Sequence, residues 1–285
     1  MKPYAAKCVI ILSGGMDSTI LLHRLAQGGH EIHALMFDYG QRHRKELAYA
    51  KQSCHDLEVS WDIVDLSDLT HLISNSALTS PRESYNDQLN RASTTGDTRF
   101  GADVRKIEVP EGHYAEDNMA LTVVPNRNMI MLSIAAGVAV NDKAAFIATG
   151  VHAGDHAVYP DCREQFVNAA SMTVQLATEG FNSFTGAPIY TPYIQWSKAD
   201  IAYEGIQLGV DFSKTWSCYK GGDYHCGRCG TCVERLEAIN EAGVRYVDQK
   251  GYNRTNDVVK GFDTTEYADT EFWKFETEKY KGANK

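Results

Sequence analysis

The sequence predicts an α/β fold, a parallel sheet covered by helices on both faces. Three observations carry that expectation. Apolar strand-like runs alternate with amphipathic helix-like runs along the chain. Such β-α alternation is the pattern of parallel strands joined by crossover helices. A glycine pair stands between the first strand and the first helix, where open α/β sheets place their ligand-binding turn.

The elements follow in order. "KCVIIL" (Lys7 to Leu12) reads as a buried strand, and "DSTILLHRLAQGG" as a helix closed by glycine. "EIHALMF" is a second strand, "RKELAYAKQSCHDL" a second helix and "VSWDIVDL" a third strand. Later, "RNMIMLSIAAGVAVND" reads as a buried helix and "AAFIATGV" as a strand. Helix "REQFVNAASMTVQLATEG", extended "PIYTPYI" and helix "SKADIAYEGIQLG" complete the pattern. No internal repeat is present. Two regions break the rhythm. Arg82 to Lys106 is polar without a clear period and reads as a long surface insertion. The stretch after Gly243 is polar but holds Tyr246, Tyr252, Phe262, Tyr267, Phe272, Trp273, Phe275 and Tyr280. Disordered tails are poor in aromatics, so this one is expected to dock on its own domain or on a neighbouring subunit. The expected organisation is an α/β domain over 1–212 with the 82–106 insertion, a cysteine-bearing segment over 213–243, and an aromatic extension over 244–285.

Composition bounds the function. The chain has 285 residues, 43% hydrophobic and 23% charged, as in an ordinary folded protein. A net charge of -9 argues against broad nucleic-acid binding. No apolar run reaches the roughly 18 residues a bilayer span needs. The opening "MKPYAAKCVIILSGG" lacks a signal-peptide pattern, so a cytoplasmic protein without a membrane partner is expected.

The chemistry-bearing stretches lie in the loops. "SGGMDST" (Ser13 to Thr19) offers paired glycines, a helix N-terminus and the hydroxyls of Ser13, Ser18 and Thr19. Together they suit an anion such as pyrophosphate. No lysine closes the motif, so it is not a GxxxxGK[ST] loop, nor is it GxGxxG. "FDYGQRHRKEL" follows the second strand and brings Tyr39, Gln41, Arg42 and His43 to the same end of the sheet. "VVPNRNMIMLS" sets Arg127 between two asparagines at a helix start. "GVHAGDHAVYPDCREQF" groups His152, Asp155, His156, Tyr159, Asp161 and Arg163. No regular spacing there puts three metal ligands on one face. A hydrogen-bonding pocket for a flat polar heterocycle is the expected reading.

"WSCYKGGDYHCGRCGTC" gathers four of the seven cysteines: Cys218, Cys226, Cys229 and Cys232. In a reducing compartment clustered thiols favour a metal over disulfides. Four thiolates suit tetrahedral zinc, with an iron–sulfur cluster as the rival. A zinc ion with four protein ligands keeps no open position, so the expected role is structural.

"SGGMDS" resembles the signature of the ATP pyrophosphatases, a Rossmann-like, adenine nucleotide α-hydrolase-like superfamily that activates oxygens by adenylation. "SGGMDST", "FDYGQRH", "SALT", "VPNRN", "GDHAVYPDCREQF", "TPYIQWSKADI" and "TWSCY...CGRCGTC" stand in the order found in 7-cyano-7-deazaguanine (preQ0) synthases of the queuosine pathway. The resemblance covers most of Cys8 to Glu237. Many of those enzymes have "VPARN" where this chain has Asn126, and "NAVDYSGYPDCRPEF" where it has "HAGDHAVYPDCREQF". The insertion and the extension look longer than in a typical member.

What the resemblance implies is an ATP-dependent ligase. It would convert 7-carboxy-7-deazaguanine and ammonia into the nitrile preQ0 through an adenylated acid and an amide. Ser13, Gly14, Gly15, Met16, Asp17, Ser18 and Thr19 would bind ATP with Mg²⁺. Tyr39, Gln41, Arg42, Arg127, Asn128, Asp155, Tyr159, Asp161 and Arg163 would bind substrate. Asp17, Arg42, His43 and Arg127 are the catalytic candidates, and a homodimer is the implied assembly. Three rivals remain: a related deazaguanine-acid ligase acting on another amine, a tRNA thiolase, and a non-catalytic nucleotide sensor.

Overall fold

Alternation along the first strand already sorts the core into two layers. In β1 (Lys7–Ile11) Cys8 and Ile10 point to one face and Val9 to the other, and all three are fully buried. The computed structural model describes residues 5–41, 44–72, 76–79, 109–114, 117–178, 188–252 and 261–283. The 82–106 insertion lies outside the described residues, and so do Arg42 and His43.

The sheet has five parallel strands: β1, β2 (Glu31–Asp38), β3 (Ser60–Asp65), β4 (Phe146–Ala148) and β5 (Ile189–Tyr190). Their spatial order is β3-β2-β1-β4-β5. The order reverses beside β1, which pairs with β2 on one side (Cys8 with Ile32) and with β4 on the other (Cys8 with Phe146). This is the topological switch point, where such sheets open a crevice at the carboxyl ends of the strands.

The first face is covered by α1 (Met16–Gln27), α2 (Lys45–Asp56), α5 (Lys198–Leu208) and α6 (Gly230–Lys250), which bury Ile20, Leu21, Leu47, Ile201 and Ile239 with Cys8 and Ile10. The opposite face carries α3 (Arg127–Asn141) and α4 (Glu164–Ala177). With the short helical turn before it, Met119–Asn141 is long and apolar enough to cross a membrane by length and composition. Here Met131, Leu132, Ala135, Ala136 and Ala139 are buried in one core cluster with Val9 and Ile147. A helix that covers a buried parallel sheet needs such an apolar surface.

The predicted elements appear with two adjustments. "PIYTPYI" keeps only Ile189–Tyr190 as strand, because Pro188 and Pro192 bracket it. The cysteine-rich stretch is only half loop: Cys229 is the N-cap of α6, and that helix runs unbroken past Gly243 to Lys250. The extension docks on its own chain. Its helix α7 (Phe272–Ala283) packs on α6, and Tyr280 stacks on buried His113 with ring centroids 4.0 Å apart.

Candidate functional site

A cavity of about 240 Å³ opens at the carboxyl ends of β1, β2 and β4. Its floor is the turn after β1. Gly14 has φ +83°, a left-handed conformation, and a Cβ there would fall 2.1 Å from the Glu46 carbonyl oxygen. Only glycine lets this turn pass so close to α2. Gly15 is the N-cap of α1 and caps with no side chain, so the first amides of the helix face the cavity end. Ser13 Oγ accepts from the Gly15 amide at 3.2 Å and lies 3.0 Å from Ser18 Oγ. Asp17 Oδ1 and Thr19 Oγ1 are buried without a hydrogen-bond partner among the described residues. Helix amides, hydroxyls and a buried carboxylate oxygen with no donor are a donor set that fits a metal-bound polyphosphate.

One wall is ionic. Lys198, the first residue of α5 after the capping box of Ser197 and Asp200, points its ammonium between two carboxylates. Nζ is 2.7 Å from Glu234 Oε2 and 3.3 Å from Asp17 Oδ2. Burial works against the charge, but Asp17 and Glu234 outweigh it and hold the Lys198 pKa above its ordinary value. Buried His152 adds its Nε2 at 3.6 Å from Asp155 and 3.9 Å from Asp17.

The opposite wall is aromatic. Arg127 opens α3, its guanidinium 5.7 Å from the centre of the Tyr39 ring, and it donates to the Tyr39 hydroxyl at 3.4 Å. Tyr159 and Tyr219 line the same wall. Tyr159 shares a 2.6 Å hydrogen bond with Thr122 Oγ1 and another with Tyr219. Among the described residues no carboxylate stands within ion-pair distance of Arg127. Glu46 also lines this side. Burial raises its carboxyl from 4.5 to about 7, although Arg127 and a hydrogen bond from Gln41 pull the other way.

The structure sorts the expected site residues. Ser13, Gly15, Met16, Asp17, Ser18, Tyr39, Arg127, Asn128, Asp155 and Tyr159 line the cavity. Gly14 and Thr19 support the turn from behind. Gln41, Asp161 and Arg163 are not among the lining residues. Gln41 is buried and fixed by the Phe37 carbonyl and the Tyr39 amide. Asp161 accepts from the Asn128 amide at 3.0 Å, at the N-terminus of α3. Arg163 caps α4 and donates to the His156 carbonyl at 2.8 Å. Asn126 is the N-cap of α3 with φ +58°, a conformation asparagine tolerates better than most residues. Sequence reasoning missed Lys198, Glu234, Glu46 and Tyr114 as wall residues. The "SKAD" cap signal places Lys198 at a helix start, but nothing local aims it at Asp17.

The four cysteines converge. Cys218, Cys226, Cys229 and Cys232 hold their sulfurs within 4.8 Å of one another, and Cys226 and Cys232 Sγ are 3.9 Å apart. Tetrahedral zinc with Zn–S near 2.3 Å separates its sulfurs by about 3.8 Å. Amides of Cys226, Arg228 and Cys229 donate to sulfur at 3.3, 3.4 and 3.2 Å, as they would to thiolates. The donor set fits a closed structural zinc site. It adjoins the cavity: Trp216, Ser217, Tyr219 and Thr231, interleaved with the ligands, all line it.

The model of the family described as queuosine biosynthesis protein QueC matches residues 7–102 and 98–243. A 7-cyano-7-deazaguanine synthase of Sinorhizobium fredii is 43% identical over 274 residues, covering 96% of this chain and 97% of that relative. One from Rhizobium etli is 41% identical over 277 residues, covering 97% of this chain and 98% of the relative. One from Methanoregula boonei is 46% identical over 237 residues, 95% of its own length but only 83% of this chain. The family therefore has longer and shorter members, and the extension beyond residue 243 lies outside the family model.

Proposed function

We infer the activity of this chain from its family, for it belongs to the family of queuosine biosynthesis protein QueC. It is an ATP-dependent carbon–nitrogen ligase that converts 7-carboxy-7-deazaguanine and ammonia into 7-cyano-7-deazaguanine. The observation that carries this is full-length similarity to synthases of that nitrile, at 43% identity across 96% of the chain.

The chemistry explains why a phosphate turn and the Arg127 guanidinium share one cavity. A carboxylate is a poor electrophile, because attack on it must expel oxide. Transfer of an adenylyl group makes that oxygen a leaving group. Ammonia then gives the amide, and a second activation of the amide oxygen lets it leave, yielding the nitrile. Mg²⁺, when bound with ATP, neutralises phosphate charge, and Asp17 is the residue proposed to hold it. The proposed roles are as follows. Ser13, Gly15, Ser18 and the α1 amides take the polyphosphate. Arg127 takes the substrate carboxylate, a pairing that charge and planarity favour. Tyr39, Tyr159, Asn128 and Asp155 surround the flat heterocycle. Arg42 and His43 are proposed to complete the site from the segment between β2 and α2. The zinc ion is structural and holds Trp216 and Tyr219 at the wall.

The proposed assembly is a homodimer. Met172 and Leu176 of α4, 63% and 83% exposed, give apolar surface to a second copy. The proposed location is the cytoplasm, where thiolates stay reduced. Saturating acid, ammonium and Mg·ATP should yield the nitrile by mass analysis of the products. No nitrile under those conditions overturns the reading. Light scattering of the purified protein checks the dimer.

A further inference from the structure

Among the described residues four carboxylates line the cavity, and three stand beside a basic side chain. Asp17 and Glu234 face Lys198, and Asp155 faces His152. Glu46 is different. Its neighbour is an amide: Gln41 Nε2 donates to Glu46 Oε1 at 3.1 Å. The orientation of that amide is settled by the backbone, because Gln41 Oε1 accepts from the Tyr39 amide at 2.9 Å and Nε2 also donates to the Phe37 carbonyl at 3.1 Å. Gln41 therefore locks one oxygen of Glu46 in place. The other oxygen has no hydrogen bond among the described residues.

The position of this carboxyl is specific. Glu46 sits in the first turn of α2, and its own carbonyl is the atom against which Gly14 of the phosphate turn is pressed. Its side chain lines the same cavity as Ser13 and Gly15 on one side and Tyr39 and Arg127 on the other. If phosphate lies on the turn and a carboxylate on Arg127, the bond between them forms in the space Glu46 adjoins. Among the described residues the charged and titratable groups facing it are Arg127 from α3 and Tyr39 from the end of β2. Burial pushes the Tyr39 hydroxyl up to about 12, so it stays neutral. Burial also brings Glu46 to about 7, where a carboxylate takes a proton and returns it without a large barrier.

We propose that Glu46 is the proton acceptor for the attacking nitrogen in the amide-forming step. The inference rests on the ligase reading above. Ammonia's lone pair forms the C–N bond at the activated carboxyl carbon. One N–H proton passes to the Glu46 carboxylate. The C–O bond to the adenylyl group breaks, and AMP leaves with the electron pair. Glu46, now neutral, gives the proton to solvent before the next cycle. Gln41 is a positioning residue in this scheme, since it acts through Glu46.

The test compares wild type, Glu46→Gln and Glu46→Asp. Two rates are measured: acid-dependent ATP–pyrophosphate exchange, which reports adenylation, and amide plus nitrile formation. In Glu46→Gln, exchange should stay within about threefold of wild type, while product formation from ammonia at pH 7 should fall about 100-fold, the low end for a lost general base. Hydroxylamine, whose adduct is more acidic and needs a weaker base, should narrow that deficit. Plotted per free NH₃, the wild-type rate should rise with pH through about 7, the Glu46→Asp rate should keep a pH slope, and the Glu46→Gln rate should lose it. Equal loss of exchange and product formation would assign Glu46 to binding or folding and overturn the proposal. So would a Glu46→Gln enzyme with wild-type amide formation. A wild-type enzyme that exchanges pyrophosphate but forms no nitrile would instead overturn the ligase reading itself.

Discussion

Among the described residues two cations line one cavity, and they are held in opposite ways. Lys198 lies between Asp17 and Glu234 at 3.3 and 2.7 Å, so its charge is balanced before any ligand arrives. Arg127 lies among the hydroxyls and ring faces of tyrosines, with no carboxylate at ion-pair distance among the described residues. A balanced cation holds the architecture of the phosphate turn. An unbalanced one, half-buried among hydroxyls and ring faces with no carboxylate at ion-pair distance among the described residues, calls for an anion from outside. The difference divides the cavity into a part that is finished and a part that the acid substrate completes.

The most severe way to break the comparison is to remove the metal. Cys229→Ser should lose zinc and solubility together, because binding energy of about 10 kcal/mol or more is folding energy for such a segment. Elemental analysis of the soluble fraction checks this. A soluble, folded, metal-bearing variant that binds ATP but does not turn over would move the site into the mechanism. Arg127→Met comes next. It should lower kcat/KM for the acid by about 10²- to 10³-fold, the cost of truncating one partner of a buried charge pair, with ATP affinity nearly unchanged. Steady-state kinetics with each substrate varied separates the two. Lys198→Met should show the opposite signature. It leaves Asp17 and Glu234 facing each other without a cation and should destabilise the fold by about 3–5 kcal/mol in denaturant melts. Glu234→Gln on that background should recover part of the loss. The smallest effect is a slope with pH. The Glu46 carboxyl is raised in the folded state, so its contribution to stability is full below 4.5 and is lost as pH rises towards about 7. Melts at pH 5 and pH 8 should differ less in Glu46→Gln than in wild type.

Much of this was legible before any coordinates. The strand–glycine–helix step at Ser13–Thr19 and the cysteine spacing are local signals, and each encodes its own geometry: a positive φ at Gly14, a ligand at the helix start of Cys229. The polar loops were legible as to residue type but not direction. Gln41 and Asp161 sit in the expected loops, yet Gln41 bonds the Tyr39 amide, the Phe37 carbonyl and the Glu46 carboxyl, and Asp161 accepts from the start of α3. Lys198 and Glu234 were not legible because their partners are distant in sequence. The meeting of Asp17 with Lys198 depends on α1 packing against α5, and no spacing records that.

The positions of the zinc ligands also bear on the order in which the molecule is assembled. All four lie between residues 218 and 232, so closing that loop costs little chain entropy. The sheet is the opposite case. Cys8 of β1 must find Phe146 of β4, and Ile147 must find Ile189 of β5. Such long-range parallel pairing is slow. The cysteine segment is thus suited to capture its ion while the sheet is still incomplete. Metal supply while the chain folds, and not only the stability of the finished fold, should therefore set how much active protein is obtained.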